Sequence, residues 1–197
     1  MDSWQRAEEK LLELVETQSE KLDGGILLVD RFLNQGINIP LYKYIGEAFA
    51  DAFRDQGIDK VMTIEASGIP IAYATADALG CNALFAKKHK PLNQSSDRLE
   101  CEVFSYTKKY SYNLSISRYL LEAGERVLLV DDVLARGAAM TAMSTLVREG
   151  GAEIVAALAI INKPHQGGQA KLERAQIPVR CLLDFDENLN LIRKKRH

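Results

Sequence analysis

The stretch with the most chemical content is Val127–Met140, VLLVDDVLARGAAM. Four apolar residues lead into two adjacent carboxylates, Asp131 and Asp132, and a small-residue turn follows, Ala135-Arg136-Gly137-Ala138-Ala139. Met140, Met143 and Val147 then fall at helical spacing. A buried strand, two acids, a tight turn and a helix start suit a phosphate with hydroxyls beside it. N–H groups of the turn and the positive helix end hold the anion. The carboxylates accept from the hydroxyls or face a metal. An ordinary βα turn with solvated acids is the plainer alternative. No Gly-Lys-Ser/Thr follows, so this is not a Walker loop, and the spaced glycines of a dinucleotide fingerprint are missing.

Other candidates lie at similar places along the chain. Lys60 to Glu65 reads as a buried strand running into Ala66-Ser67-Gly68-Ile69-Pro70, a second small-residue turn before a helix over 71–79. Asn82 to Ala86 reads as a strand ending in Lys87-Lys88-His89-Lys90, a cluster that suits a polyanion; no metal partner for His89 is evident. The apolar run Ile154–Ile161 ends at Asn162-Lys163-Pro164. Each taken alone also reads as a plain turn or a solvated charge run. Their shared position at strand C-terminal ends is the stronger signal, because open α/β sheets bind ligands there.

The elements that position these groups alternate. A charged amphipathic helix is expected over 4–22, ended by Asp23-Gly24-Gly25. The following stretch to Ile39 has no clean period and reads as an extended piece and a loop, a hood in which Asn34 could equally be a turn residue. Pro40 suits a helix start, and Gly57 closes that helix. Residues 101–106 and 112–117 alternate like two strands of an arm, with Thr107-Lys108-Lys109-Tyr110-Ser111 as a basic tip that closes over a charged substrate or is simply a surface hairpin. A short helix at 169–175 and segments at 179–183 and 189–192 finish the chain. Strands near 61, 83, 127 and 155 with helices between them imply an α/β fold, a mostly parallel sheet flanked by helices on both faces.

Composition sets outer bounds. The 197 residues are 47% apolar and 26% charged, enough for one α/β domain. A formal net charge of -2 argues against a broad nucleic-acid surface, and no run is long enough to span a membrane. Cys81, Cys101 and Cys181 have no metal-ligand spacing and are expected to be reduced core residues of a cytoplasmic protein. Met1–Arg6 leads into a charged helix rather than a secretory signal. Arg193–His197 form a basic tail, a kind of run that is usually solvated or lies at a partner surface.

VLLVDDVLARGAAM resembles the 5-phosphoribosyl 1-diphosphate (PRPP) signature of type I phosphoribosyltransferases. LLVDRFLNQGI, TIEASGI, FAKKHK, FSYTKK and INK are similar, in the same order, to the xanthine branch of that family. The loop departs from the Thr-Gly-Gly-Thr of many members, and Arg136 stands where that branch tends to have asparagine.

The resemblance implies one domain over 1–197, with a base-binding hood over about 1–39, C-terminal contributions to it, and a core over about 40–165. The implied reaction joins xanthine to PRPP, giving xanthosine 5′-monophosphate and diphosphate, in purine salvage. It places Asp131 and Asp132 at the ribose as the catalytic acids. Ala135, Arg136, Gly137, Ala138 and Ala139 would hold the 5′-phosphate. Glu65, Ala66, Ser67, Gly68, Lys87 and Lys88 would hold the diphosphate, and Leu27, Asn34 and Lys163 the xanthine. Mg²⁺ would enter with PRPP rather than on a dedicated set of side chains. A homodimer is implied, with no nucleic-acid or membrane partner. The alternatives are another purine phosphoribosyltransferase, for hypoxanthine, guanine or adenine, and a non-catalytic PRPP-sensing regulator.

Overall fold

The computed structural model describes residues 1–22, 26–88, 97–105 and 110–192, the side chains of 104, 105 and 110 excepted. His89, Lys90, Thr107–Lys109 of the arm's tip and the basic tail lie outside the described residues.

Helix α1 (Ser3–Gln18) starts at Asp2, whose side chain accepts from the Gln5 N–H, and buries Ala7, Leu11 and Val15. The helical periodicity of the sequence runs to 22, yet the helix ends earlier. Ser19 is extended, and both its N–H and its hydroxyl donate to the Val15 carbonyl. The chain instead forms β1 (Glu20–Leu22), antiparallel to β2 (Ile26–Leu28). A single π-helical turn, Asp30–Asn34, fills the stretch where the sequence shows no period. Asn38 then caps α2 (Ile39–Asp51) through the Leu41 N–H, with Pro40 in the first turn. The chain leaves through a 3₁₀ turn and Gly57, left-handed at φ 60°.

Strand β3 (Lys60–Ile64), helix α3 (Ile69–Leu79) and strand β4 (Asn82–Ala86) form a parallel βαβ unit. The arm, β5 (Arg98–Ser105) against β6 (Tyr110–Ser117), is an antiparallel ribbon that joins the end of β4 through mutual backbone bonds between Lys87 and Ser115. After it come β7 (Arg126–Leu134), α4 (Ala138–Glu149), β8 (Glu153–Asn162), α5 (Gly168–Arg174), β9 (Val179–Phe185) and β10 (Leu191–Ile192). The main sheet has six strands in the order β10-β9-β8-β7-β3-β4, all parallel except the edge strand β10.

The hydrophobic residues divide between the two faces of this sheet. One core gathers α1, α2, α3 and the hood residues Val29, Phe32 and Leu33. The other gathers α4, the arm residues Leu99, Val103, Leu114 and Ile116, and Leu172 of α5. Val127–Val130 are fully buried between them, which is why this run carries no alternation. Each such side chain contributes about 2 kcal/mol by leaving water. Cys81, Cys101 and Cys181 are reduced, but only Cys181 is a core residue; Cys81 and Cys101 are half-buried at the core margins, where their elements meet solvent. Among the described residues no helix is long and apolar enough to cross a membrane.

The strand order locates the site. From β3 the chain steps outward to β4, then returns to the other side of β3 as β7 and continues to β8 and β9. The direction of winding therefore reverses between β3 and β7, and crossover connections leave to opposite faces there. The two strands are paired only from Lys60–Val127 to Met62–Leu129. Beyond that point they part, and their C-terminal ends flank an opening.

Candidate active site

The acids lie within β7 rather than after it. The apolar run suggests a strand ending at Val130, but β8 continues alongside, pairing Asp131 with Ala159, Val133 with Ile161 and Leu134 with Asn162. Strand geometry alternates successive side chains, yet the Asp131 and Asp132 carboxyl groups remain close enough to interact. Asp131 is 8% exposed and Asp132 half-buried. Each carboxylate is fixed by a neighbouring amide. The Asp132 N–H donates to Asp131 Oδ1 at 3.0 Å, and the Val133 N–H to Asp132 Oδ1 at 2.7 Å. Burial holds the Asp131 carboxyl well above the usual range; the charge of Asp132 adds to this, and Lys88 pulls weakly the other way. Burial thus favours the protonated form of Asp131.

The loop after Leu134 ends at Gly137, left-handed at φ 73°, which begins α4 without a side-chain cap. The first amides of a helix have no partner within it. Here no cap takes them, and the chain supplies small residues, Ala138 and Ala139, that leave an anion room to approach. Ala135 is half-buried at the start of the loop, and Arg136 is exposed at its outer edge.

The Glu65–Gly68 turn faces the opening from β3. The Glu65 N–H donates to the Ala86 carbonyl at 3.1 Å, and its carboxylate Oε1 accepts from the Lys88 N–H at 2.7 Å. This acid therefore ties the turn to the end of β4. The Glu65–Ala66 peptide is cis. Gly68 packs on Thr63, so that a Cβ there would run into the Thr63 hydroxyl, and α3 begins behind it without a side-chain cap. Ala66 is exposed and Ser67 half-buried at the crest of the turn. The two lysines that follow β4 separate. Lys88 is the one whose charge reaches Asp131, while the Lys87 ammonium sits 5.9 Å from the centre of the Phe85 ring.

The base side is built from three segments. Leu27 is a buried residue of β2. Asn34 ends the π-helical turn, exposed, with its side-chain amide donating to Asp30 Oδ1 at 3.1 Å. Lys163 follows β8, its N–H donating to the Leu134 carbonyl at 2.9 Å. Its ammonium is half-buried, and that burial lowers its pKa.

Four residues that sequence reasoning passes over support this frame. The buried Tyr42 hydroxyl donates to the Leu33 carbonyl at 2.8 Å, joining α2 to the hood turn beside Asn34. Burial and the nearby charge of Asp132 both raise its pKa, so it stays a donor. Asn162, fully buried, donates to Asp184 Oδ1 at 3.0 Å and Gln169 Oε1 at 2.7 Å, fixing the strand end from which Lys163 departs. A polar residue closing an apolar run marks Asn162 in the sequence; nothing marks Tyr42, which sits on an apolar helix face.

Thus Glu65–Gly68, Lys88, Asp131–Asp132, Ala135–Ala139 and Lys163 all lie at the C-terminal ends of the parallel strands β3, β4, β7 and β8, while Lys87 turns toward Phe85. Among the described residues no cluster of three or more His, Cys, Asp or Glu side chains is arranged to hold a metal.

Comparison with known proteins bears on the family and the fold. The family described as phosphoribosyl transferase domain matches residues 37–182. The chain is similar to the xanthine phosphoribosyltransferase of Laribacter hongkongensis (strain HLHK9), 44% identical over 171 residues, 85% of this chain and 90% of that protein. The enzyme of the same name from Brevibacillus brevis is 39% identical over 173 residues, 88% of each chain. Among solved structures, adenine phosphoribosyltransferase from Saccharomyces cerevisiae superposes with a TM-score of 0.76 at 23% identity, over 91% of this chain and 99% of that one. The Rhodothermus marinus adenine enzyme gives 0.74 at 24%, over 92% and 99%. At such identities the structures speak for the fold alone, a type I phosphoribosyltransferase α/β sheet. With the family match covering most of its length and relatives of this identity spanning nearly all of it, the chain belongs to the phosphoribosyltransferase family.

Proposed function

We propose that the protein is a xanthine phosphoribosyltransferase, joining xanthine to PRPP to give xanthosine 5′-monophosphate and diphosphate in cytoplasmic purine salvage. The observation that carries this reading is the Asp131–Asp132 pair at the β3–β7 opening, directly before the uncapped start of α4. Ala135–Ala139 take the 5′-phosphate on backbone amides, and the acids accept from the ribose hydroxyls. In the displacement the bond from the anomeric carbon to the diphosphate oxygen breaks, the bond to the purine nitrogen forms, and the purine N–H proton is released. Positive charge builds on the ribose, and a carboxylate held beside it lowers that barrier. The Glu65–Gly68 turn and Lys88 receive the leaving diphosphate, with Lys87 at the outer side.

Asp131 and Asp132 each keep an oxygen outside the backbone bonds described above, a donor set that suits a hydrated Mg²⁺ carried in by PRPP. When bound, that ion neutralises the departing diphosphate.

For the base, Leu27 and Asn34 in the hood and Lys163 at an exocyclic oxygen favour an oxopurine. Adenine presents a donor amino group there, which a lysine cannot accept from. The curated relatives named as xanthine enzymes support the same choice. The proposed layout is one domain, with a hood over about 1–39 and a core over about 40–165.

The active form is proposed to be a homodimer. An open groove of about 990 Å³ between α2 and α3 exposes Ile37, Ile39 and Tyr73 beside Lys43, Glu47 and Asp77. Apolar residues next to charges of both signs suit pairing with a second copy about a two-fold axis. A panel of purine bases with PRPP and Mg²⁺, followed by diphosphate release, tests the proposal, and a preference other than xanthine moves the base assignment.

A further inference from the structure

The turn between β8 and α5 is bonded at both ends to the start of the phosphate loop. The Lys163 N–H donates to the Leu134 carbonyl at 2.9 Å and the Gly168 N–H to the Ala135 carbonyl at 3.0 Å. At the second contact the two backbones meet with no side chain between them. A Cβ on Gly168 would run into the Ala135 carbonyl oxygen and lie 2.7 Å from the Gly137 nitrogen and 3.0 Å from the Arg136 carbonyl carbon. Conversely, a Cβ on Gly137 would lie 3.0 Å from the Gly168 Cα. Its neighbour Gly167 differs. Gly167 is left-handed at φ 81°, but a Cβ there would meet nothing within 4 Å.

We infer that Gly168 is a positioning residue for the phosphate loop. Its bare backbone fixes the path of Ala135–Gly137, and the turn ties that path to Lys163. The inference rests on the reading that this loop takes the 5′-phosphate of PRPP. Any side chain at 168 must push the loop outward, because the obstructing atoms are backbone atoms that cannot rotate away. A shift of that kind misaligns amides whose contribution depends on direction. The substrate's phosphate and its base would then be held at an altered spacing.

Titration calorimetry with ribose 5-phosphate, combined with steady-state kinetics, tests the inference on three proteins: wild type, Gly168→Ala and Gly167→Ala. Gly168→Ala is expected to weaken ribose 5-phosphate by about tenfold or more and to raise the KM for PRPP similarly, with the KM for the base within about threefold. Gly167→Ala strains the same turn, so it lowers Tm, yet its affinity for ribose 5-phosphate stays within about twofold of wild type. Equal weakening in both variants, or wild-type affinity in Gly168→Ala, overturns the role of Gly168 while leaving the phosphate loop in place. Failure of wild type to bind ribose 5-phosphate, or intact binding in Ala138→Asp, removes the loop reading and this inference with it.

Amide hydrogen exchange on the wild-type protein gives a test that needs no variant. Ribose 5-phosphate is expected to slow exchange at the Gly168 and Lys163 amides together with 135–139. Protection confined to 135–139 overturns the inference.

Discussion

Asp131 and Asp132 are adjacent in sequence and unlike in environment. Asp131 is enclosed, anchored by the Asp132 amide, and its carboxyl is pushed well above the ordinary range by burial and by its neighbour. That shift is also a statement about stability. The folded form keeps the proton through the pH range in which the unfolded chain has already lost it. Stability from this group is therefore fully present below the ordinary carboxylate range and is lost as pH rises through the raised value. Asp131→Asn keeps the shape and the accepting oxygen but removes the buried acid. It is expected to cut turnover by about 10²–10³-fold while raising Tm at neutral pH and flattening the loss of stability as pH rises above the ordinary carboxylate range. Activity assays with thermal melts across pH check this; a lowered Tm with retained turnover contradicts it. The acids were legible in the sequence because two carboxylates behind a fully apolar run have few other uses. What separates Asp131 from Asp132 was not legible, because it depends on β8 running beside them to Asn162. What separates Lys87 from Lys88 was not legible either: the Lys87 ammonium lies over the Phe85 ring, while the charge of Lys88 reaches Asp131.

At the scale of elements, periodicity and caps identified most helices and strands. Pro40 at the start of α2, Gly57 after it and the apolar runs of β3, β7 and β8 all mark their elements locally. The failures share a cause. The end of α1 is set where Glu20–Leu22 pair with Ile26–Leu28, and β7 runs past its apolar stretch because β8 offers partners for its backbone. Both are tertiary pairings that override the local pattern. The hood turn is another case, since its place depends on the buried hydrogen bond from Tyr42 to Leu33. Tyr42→Phe leaves the ring packed and strands that carbonyl, a loss of about 1 kcal/mol. It is expected to raise the KM for the base several-fold with little change in the KM for PRPP. Steady-state kinetics with each substrate varied checks it, and an equal rise in both would show the hood turn to be independent of Tyr42.

At the scale of the whole molecule, the parallel sheet followed from the alternation of strands and helices, but the strand order did not. Which strand stands beside β3 is decided by the return of the chain after the arm, and that return makes the opening in which the acids, the two uncapped helix starts and Lys163 meet. The groove between α2 and α3 was equally hidden, because no pattern in the sequence marks Ile37, Ile39 and Tyr73 as exposed neighbours. If a second copy covers it, sedimentation should give twice the chain mass of 21.9 kDa, and Ile39→Glu with Tyr73→Glu should halve that value. A wild-type monomer would contradict the dimer. The central claim, transfer of a phosphoribosyl group to an oxopurine, is tested most directly by diphosphate release from PRPP and Mg²⁺ with xanthine, guanine, hypoxanthine and adenine in turn. The account predicts the highest kcat/KM with xanthine and background release with adenine. Release fastest with adenine, or none with any base, would contradict it.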